Sequence, residues 1–316
     1  MFNQCEWSKE MRQVLVAFWL TICTVSIVVG DDAVVPEKPK EIAPVLLQMM
    51  RNDSVHDHLH LDPATRKAIH TTLDAIDGPW WRSRLLGDSE RKVEIGKLTE
   101  ALRAELRERL SVTQLKRVEQ LELQALLGDA DKSRIEKMSR QEVLATYGQP
   151  FDFATVKRTL PRAPELIDNA SGSAASGNWL SGDAKTLAGL RGKVVAVHFY
   201  AFQCINCVRN LPHYKSWHDD LAAKGVVVIG IQTPETQRER DVAAVRTAAK
   251  QSAIDYSVLM DPGSENWKTW GNTMWPTVYL IDKEGYIRHW WQGELNWQET
   301  KGERAMRDNI MKLLAE

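Results

Sequence analysis

Cys204 and Cys207 are the residues of this sequence best placed for covalent chemistry, with Ile205 and Asn206 between them. A hydrophobic run over 194–200 ends just before the pair, and Leu211, Tyr214, Trp217 and Leu221 follow at helical spacing. The two thiols therefore stand where a strand gives way to a helix. A thiol at a helix N-terminus meets unpaired N–H groups and the positive end of the helix dipole, and both favour its thiolate. The thiolate is the reactive form. Cys204, the outer residue, is expected to attack a substrate disulfide and form a mixed disulfide. Cys207, one turn further in, is expected to attack Cys204 and release the reduced substrate. That exchange needs no bound cofactor beyond the Cys204–Cys207 disulfide itself. Zinc would want a second cysteine pair or a Cys/His set at ligand spacing. The remaining cysteines, Cys5 and Cys23, lie near the N-terminus, and His213 and His218 lack finger-like spacing. No metal is assigned to the pair.

The elements around the pair alternate between strand and helix. Runs over 194–200 and 226–231 read as strands covered on both faces. A helix over 241–251 and a short strand over 256–260 follow. Strands over 277–281 and 286–290 are joined by the turn Asp282-Lys283-Glu284-Gly285, and a helix over 303–314 closes the chain. This is the order of the α/β thioredoxin fold, a central mixed sheet flanked by helices. Trp275-Pro276 stands before the late strand, where that fold carries a cis proline beside the cysteines. X–Pro bonds adopt cis at modest cost. The backbone before Pro276 could then pair with a substrate chain as a short strand would. Trp275, Ile205 and Asn206 are the expected substrate contacts. Trp290, Trp291 and Trp297 could add an aromatic rim or fill core.

Two stretches carry a family resemblance. Gly192-Lys193-Val194-Val195-Ala196-Val197-His198-Phe199-Tyr200 and Cys204-Ile205-Asn206-Cys207-Val208-Arg209-Asn210-Leu211-Pro212 resemble the TlpA/ResA-like thioredoxin family. The closer likeness is to its DipZ-type branch. It rests on the Cys-Ile-Asn-Cys motif, Thr233-Pro234-Glu235, Gly271-Asn272-Thr273-Met274-Trp275-Pro276, Leu280-Ile281-Asp282 and Gly293-Glu294, and it spans about residues 180–297. The resemblance implies exported disulfide exchange, with protein disulfides as substrates and an upstream thiol donor supplying electrons. Three positions depart from the pattern. Gln203 stands where thioredoxins have Trp before the first cysteine. His198 stands where thioredoxin has a buried carboxylate that accepts the resolving thiol's proton. A histidine could do that work, or it could be a hydrogen-bonded core residue. Asn210 stands where ResA-like proteins carry Glu, and an amide is no base. Two other readings stay open. One is a thioredoxin-fold peroxidase, although the Pro-x-x-x-[Thr/Ser]-x-x-Cys setting of those enzymes is absent before Cys204. The other is a non-enzymatic metal- or partner-binding module.

The N-terminal half reads differently. Lys9 and Arg12 precede an apolar run over 14–29, the pattern of a signal peptide or membrane anchor over 1–30, with the rest exported to the periplasm or secreted. Residues 31–147 form a charged tether and then an all-α domain. Asp62-Pro63 and Ser111-Val112-Thr113-Gln114 mark helix starts, and Ile95, Leu98, Leu102 and Leu106 form a helical stripe. Leu110 to Gln114 faintly resembles the LTxxQ motif of CpxP/Spy-type proteins. His56, His58 and His60 alternate, which would suit a metal on an extended chain, but a solvated loop before the helix is the expected reading. Pro150, Pro161, Pro164 and the Ser/Gly run over 171–177 read as a linker over 148–178, leaving 179–316 as the thioredoxin-like domain. A formal net charge of −1 on 316 residues argues against nucleic acid as the main partner.

Overall fold

The computed structural model of the chain describes residues 44–127, 129–157, 159–168 and 178–316. They form two compact units, one built mainly from 44–157 and one from Thr159–Glu316. The expected export segment lies outside the described residues. Among the described residues no helix is long and apolar enough to cross a membrane.

The first unit is helical: α1 (Val45–Met49), α2 (Asp53–His58), α3 (Pro63–Ser83), α4 (Asp88–Arg109), α5 (Val112–Ala125), α6 (Asp129–Ile135) and α7 (Arg140–Tyr147). Its helix starts are fixed by side chains. Asp62 Oδ1 accepts from the N–H groups of Ala64 at 2.9 Å and Thr65 at 3.0 Å. Ser111 with Gln114, and Ser139 with Glu142, close reciprocal capping boxes.

The expected loop at His56, His58 and His60 is instead mostly helix. His56 and His58 lie in α2, and His60 follows it with φ +53°. Val55 and Leu59, four apart, are buried together; that apolar pair explains why the segment coils rather than extends. A helix turns residues two apart away from each other. His56 is buried, while His58 Nε2 accepts from Arg117 Nε at 2.8 Å.

The second unit contains β1 (Trp179–Ser181), β2 (Val194–Tyr200), α8 (Ile205–Leu221), β3 (Val226–Gln232), α9 (Val242–Gln251), β4 (Ser257–Met260), α10 (Glu265–Thr269), β5 (Thr277–Ile281), β6 (Ile287–Gln292) and α11 (Gly302–Ala315). The sheet order is β1-β4-β3-β2-β5-β6. Strands β2, β3 and β4 run parallel, and β1, β5 and β6 pair antiparallel with their neighbours. This open mixed sheet flanked by helices is a thioredoxin-like fold. All of β2 is buried. On one face Val194, Ala196 and Tyr200 pack with Tyr214 and Trp217 of α8 and Met306 and Ile310 of α11. On the other, the ring of Phe199 meets Trp267, Trp270 and Tyr279.

Residues 159–163 lie within the stretch expected to be linker, yet they bond to the β6 region. Leu160 N–H donates to Ile287 O at 2.9 Å, Ile287 N–H to Pro161 O at 2.9 Å, and Ala163 N–H to Gly285 O at 3.0 Å. A proline lacks a donor but keeps its carbonyl, so it is tolerated on a sheet edge.

His198 interrupts the apolar run of β2, pairing across the sheet with Gly230 and Val278. A Cβ added at Gly230 would lie 3.0 Å from His198 Nε2 and 3.2 Å from its Cε1. The missing side chain of Gly230 is thus the space the imidazole uses. Gly230→Ala is expected to lower the unfolding free energy by about 1–3 kcal/mol, the usual cost of overpacking a core. Urea denaturation checks this, and an unchanged midpoint would mean the ring has other room.

Candidate active site

Cys204 is the N-cap of α8, with φ −78° and ψ 109°, and Cys207 lies in the first turn. Both are free thiols; Cys204 is half-buried and Cys207 fully buried. A hydrogen bond from the Cys207 thiol favours the Cys204 thiolate, and the N–H groups of Cys207 and Asn206 add to it. Together they outweigh desolvation and the charge of Glu235, bringing the Cys204 thiol down to about 7. Burial, and then donation to Cys204, push the Cys207 thiol far up. The pair is therefore polarised, an ionisable thiol outside and a proton-holding thiol within, and the leading cause is the Cys207 hydrogen bond rather than the N–H groups of the helix start.

The turn between β2 and α8 is held by a residue the sequence reading missed. Glu239 is buried, and its carboxylate accepts from Gln203 N–H at 2.8 Å, Glu235 N–H at 2.8 Å and Thr236 N–H at 2.9 Å. The Thr236 hydroxyl also donates to the Gln203 side-chain carbonyl. One side chain thus ties the backbone before Cys204 to the loop after β3. The signal was present as Thr236-x-x-Glu239, a capping-box pattern that the structure forms.

The Trp275–Pro276 peptide bond is cis. Trp275 and Cys204 pack against the same core cluster that contains Cys207, Tyr200 and Tyr214. The Trp275 indole stacks on Trp267 at 3.9 Å between centroids and donates from Nε1 to Thr233 O at 3.2 Å. Asp261, also buried, accepts from Thr233 Oγ1 at 3.0 Å and Trp267 N–H at 3.0 Å. The Thr233 loop, Trp267 and Trp275 are thereby linked. Pro276 is buried, Ile205 is exposed and Asn206 half-buried. Trp291 joins the same cluster as Trp275, whereas Trp297 is exposed.

His198 is fully buried, and its Nε2 is 3.0 Å from the Tyr256 hydroxyl. It stacks on Tyr214 at 4.1 Å. Burial lowers its pKa to about 3, so the imidazole is neutral through the physiological range. Tyr200 and Tyr214 both lie against this ring and near enough to Cys207 to feel its charge. Burial raises both phenols, and a charge on Cys207 raises them further. Asn210 is also buried. Its Nδ2 donates to Tyr214 Oη at 3.1 Å and Gly293 O at 3.2 Å, and its Oδ1 accepts from Leu295 N–H at 2.9 Å.

Residues 173–290 match the model of the AhpC/TSA family. Protein DipZ of Mycobacterium tuberculosis is 37% identical over 124 residues, which is 39% of this chain and 18% of that protein. Thiol-disulfide oxidoreductase ResA of Bacillus thuringiensis is 31% identical over 126 residues, 40% of this chain and 65% of that protein. The chain thus spans less than a fifth of the mycobacterial protein. Among solved structures, a thiol-disulfide isomerase from Corynebacterium glutamicum aligns with a TM-score of 0.40 and 21% identity, over 49% of this chain and 97% of that one. Over about two fifths of its length, this chain is similar in sequence to Protein DipZ and to thiol-disulfide oxidoreductase ResA.

Proposed function

We propose that this chain is an exported thiol–disulfide oxidoreductase that reduces protein disulfides, with Cys204 attacking and Cys207 resolving. The observation that carries this reading is the unequal pair at the start of α8: a half-buried thiol lowered to about 7 beside a buried one. Near pH 7 about half of Cys204 is thiolate, against about one part in a hundred for a thiol at the ordinary value of 9. Its sulfur attacks a substrate disulfide. A Cys204–substrate S–S bond forms, the substrate S–S bond breaks, and the first substrate thiolate leaves. Cys207 then gives up its proton and attacks Cys204 Sγ. The Cys204–Cys207 disulfide forms and the second substrate thiolate departs. Two electrons pass from the pair to the substrate, and an upstream thiol donor restores them.

In this reading the backbone before cis Pro276 and the side chains of Trp275, Ile205 and Asn206 receive the substrate. Exposed Ile205 and half-buried Trp275 offer apolar contact at the thiol. His198 serves the site by position rather than as a base. Its Nε2 is engaged by Tyr256 and its basicity is too low to hold a proton from Cys207. The apolar run over 14–29 behind Lys9 and Arg12 supports export and membrane attachment.

Two experiments test the proposal. In a protein-disulfide reduction assay, Cys204→Ser is expected to fall to the uncatalysed rate, and Cys207→Ser to lose turnover while accumulating a mixed disulfide. Turnover of hydrogen peroxide with no turnover of a protein disulfide would overturn the reading. In alkylation of the reduced protein across pH, the fast thiol is expected to titrate near 7. Because the Cys207 hydrogen bond is the largest cause of that lowering, Cys207→Ala should move the midpoint up towards 9. A midpoint already near 9 in the parent protein would remove the basis for Cys204 as the nucleophile.

A further inference from the structure

We infer that Asp53, His56 and His70, in the helical unit, form a binding site for one divalent cation of the zinc class. One ligand atom from each of the three lies within 4.8 Å of the other two. Asp53 and His56 are three apart on α2 and so share a face, while His70 comes from α3. The two imidazole rings are 5.1 Å apart at 60°.

The decisive residue is His56. It is completely buried, and its Nε2 lies 2.9 Å from the Met50 carbonyl oxygen. A carbonyl can only accept, so Nε2 carries the proton and Nδ1 holds a bare lone pair. That Nδ1 is buried with no hydrogen-bond partner. Such atoms are rare, because leaving one unsatisfied costs about 1–3 kcal/mol. A histidine that donates one N–H to a backbone carbonyl while its other nitrogen is left without a hydrogen-bond partner is set up as a metal ligand.

The rest of the cluster fits the same ligand. His70 Nε2 and Asp53 Oδ1 are 3.9 Å apart, too far for a hydrogen bond to each other. Tetrahedral zinc with ligands at about 2.0–2.1 Å places its donors about 3.3–3.4 Å apart. The three donors lie within 4.8 Å of one another, so binding requires Asp53 and His70, both partly or largely exposed, to rotate towards buried His56. Two imidazoles and one carboxylate favour Zn²⁺ over the all-oxygen preferences of Mg²⁺ and Ca²⁺. Solvent can supply the fourth ligand on the Asp53 side. The nearby Arg66 is engaged elsewhere, with Nη2 2.6 Å from Asp57 Oδ1 and Nε donating to Leu61 O at 2.9 Å. His58 is held by Arg117, so of the alternating histidines only His56 contributes.

The test is calorimetric titration of the full chain with Zn²⁺ alone, in excess Mg²⁺ and without an affinity tag. The Cys204–Cys207 pair is kept as a disulfide so that neither thiolate takes metal. The expected result is one Zn²⁺ per chain and a higher Tm, since an ion that binds only the folded state stabilises it. Asp53→Asn and His70→Ala should each weaken binding by on the order of 10- to 100-fold or more, the scale on which losing even a supporting group acts. The double variant Cys204→Ser/Cys207→Ser should bind as the parent does. His56→Ala would open a buried cavity, so the two variants at exposed positions carry the test, each verified as folded by circular dichroism. Absence of saturable binding would overturn the site. So would affinity unchanged in Asp53→Asn and His70→Ala. Neither result bears on the redox reading of the second unit.

Discussion

A hydrogen bond between two thiols one helical turn apart sets the polarity of the site in the second unit. Cys204 ionises near neutrality because Cys207 donates to it, and Cys207 can donate because burial keeps its proton on. That asymmetry demands a helix starting at Cys204, with its first turn sunk into the core. The end of β2 supplies the depth, since the strand is buried along its whole length. The N-cap position supplies the exposure, because the cap residue lies half outside the helix.

Holding that start in place is the work of polar groups buried around it. Glu239 gathers three N–H groups from two loops that are distant in sequence. A carboxylate accepting several backbone donors is better fixed than any single neutral bond would make it. Its charge is directed at the peptide groups of the loops, whereas the carboxylate that acts on both thiols is that of Glu235, and it opposes their ionisation. The tuning of the pair is thus a balance between Cys207 and the helix-start N–H groups on one side and Glu235 and desolvation on the other. The buried position that carries a proton acceptor in thioredoxin holds a neutral, phenol-bound imidazole here.

Much of the second unit was legible from local pattern. The runs over 194–200 and 277–281 match β2 and β5, because a strand buried on both faces shows as an unbroken apolar run. β1, with three residues, and α10, with five, were missed because neither is long enough to show a period. The start of α10 is further disguised, since Ser264 caps it in a left-handed conformation. Glu239 was missed because its partner Gln203 lies 36 residues away. In the first unit, polarity at His56, His58 and His60 suggested a loop, and the burial of Val55 with Leu59 overrode it.

Asn210 shows how one substitution changes what a site can do. The resemblance to ResA-like proteins implies Glu at this position, a group that could act as a base beside Cys207. The amide instead donates to Tyr214 Oη and Gly293 O while accepting from Leu295 N–H. An ionised carboxylate has no donor and could make only the last of these bonds to main chain. Asn210 therefore fixes α8 to the loop after β6, next to the cluster in which Trp291 and Trp275 pack with Cys204. The position carries no titratable group and makes a joint between the helix of the cysteine pair and the loop after β6. His198 is held neutral by burial and Asn210 is an amide, so neither of these two core positions carries a charge at neutral pH.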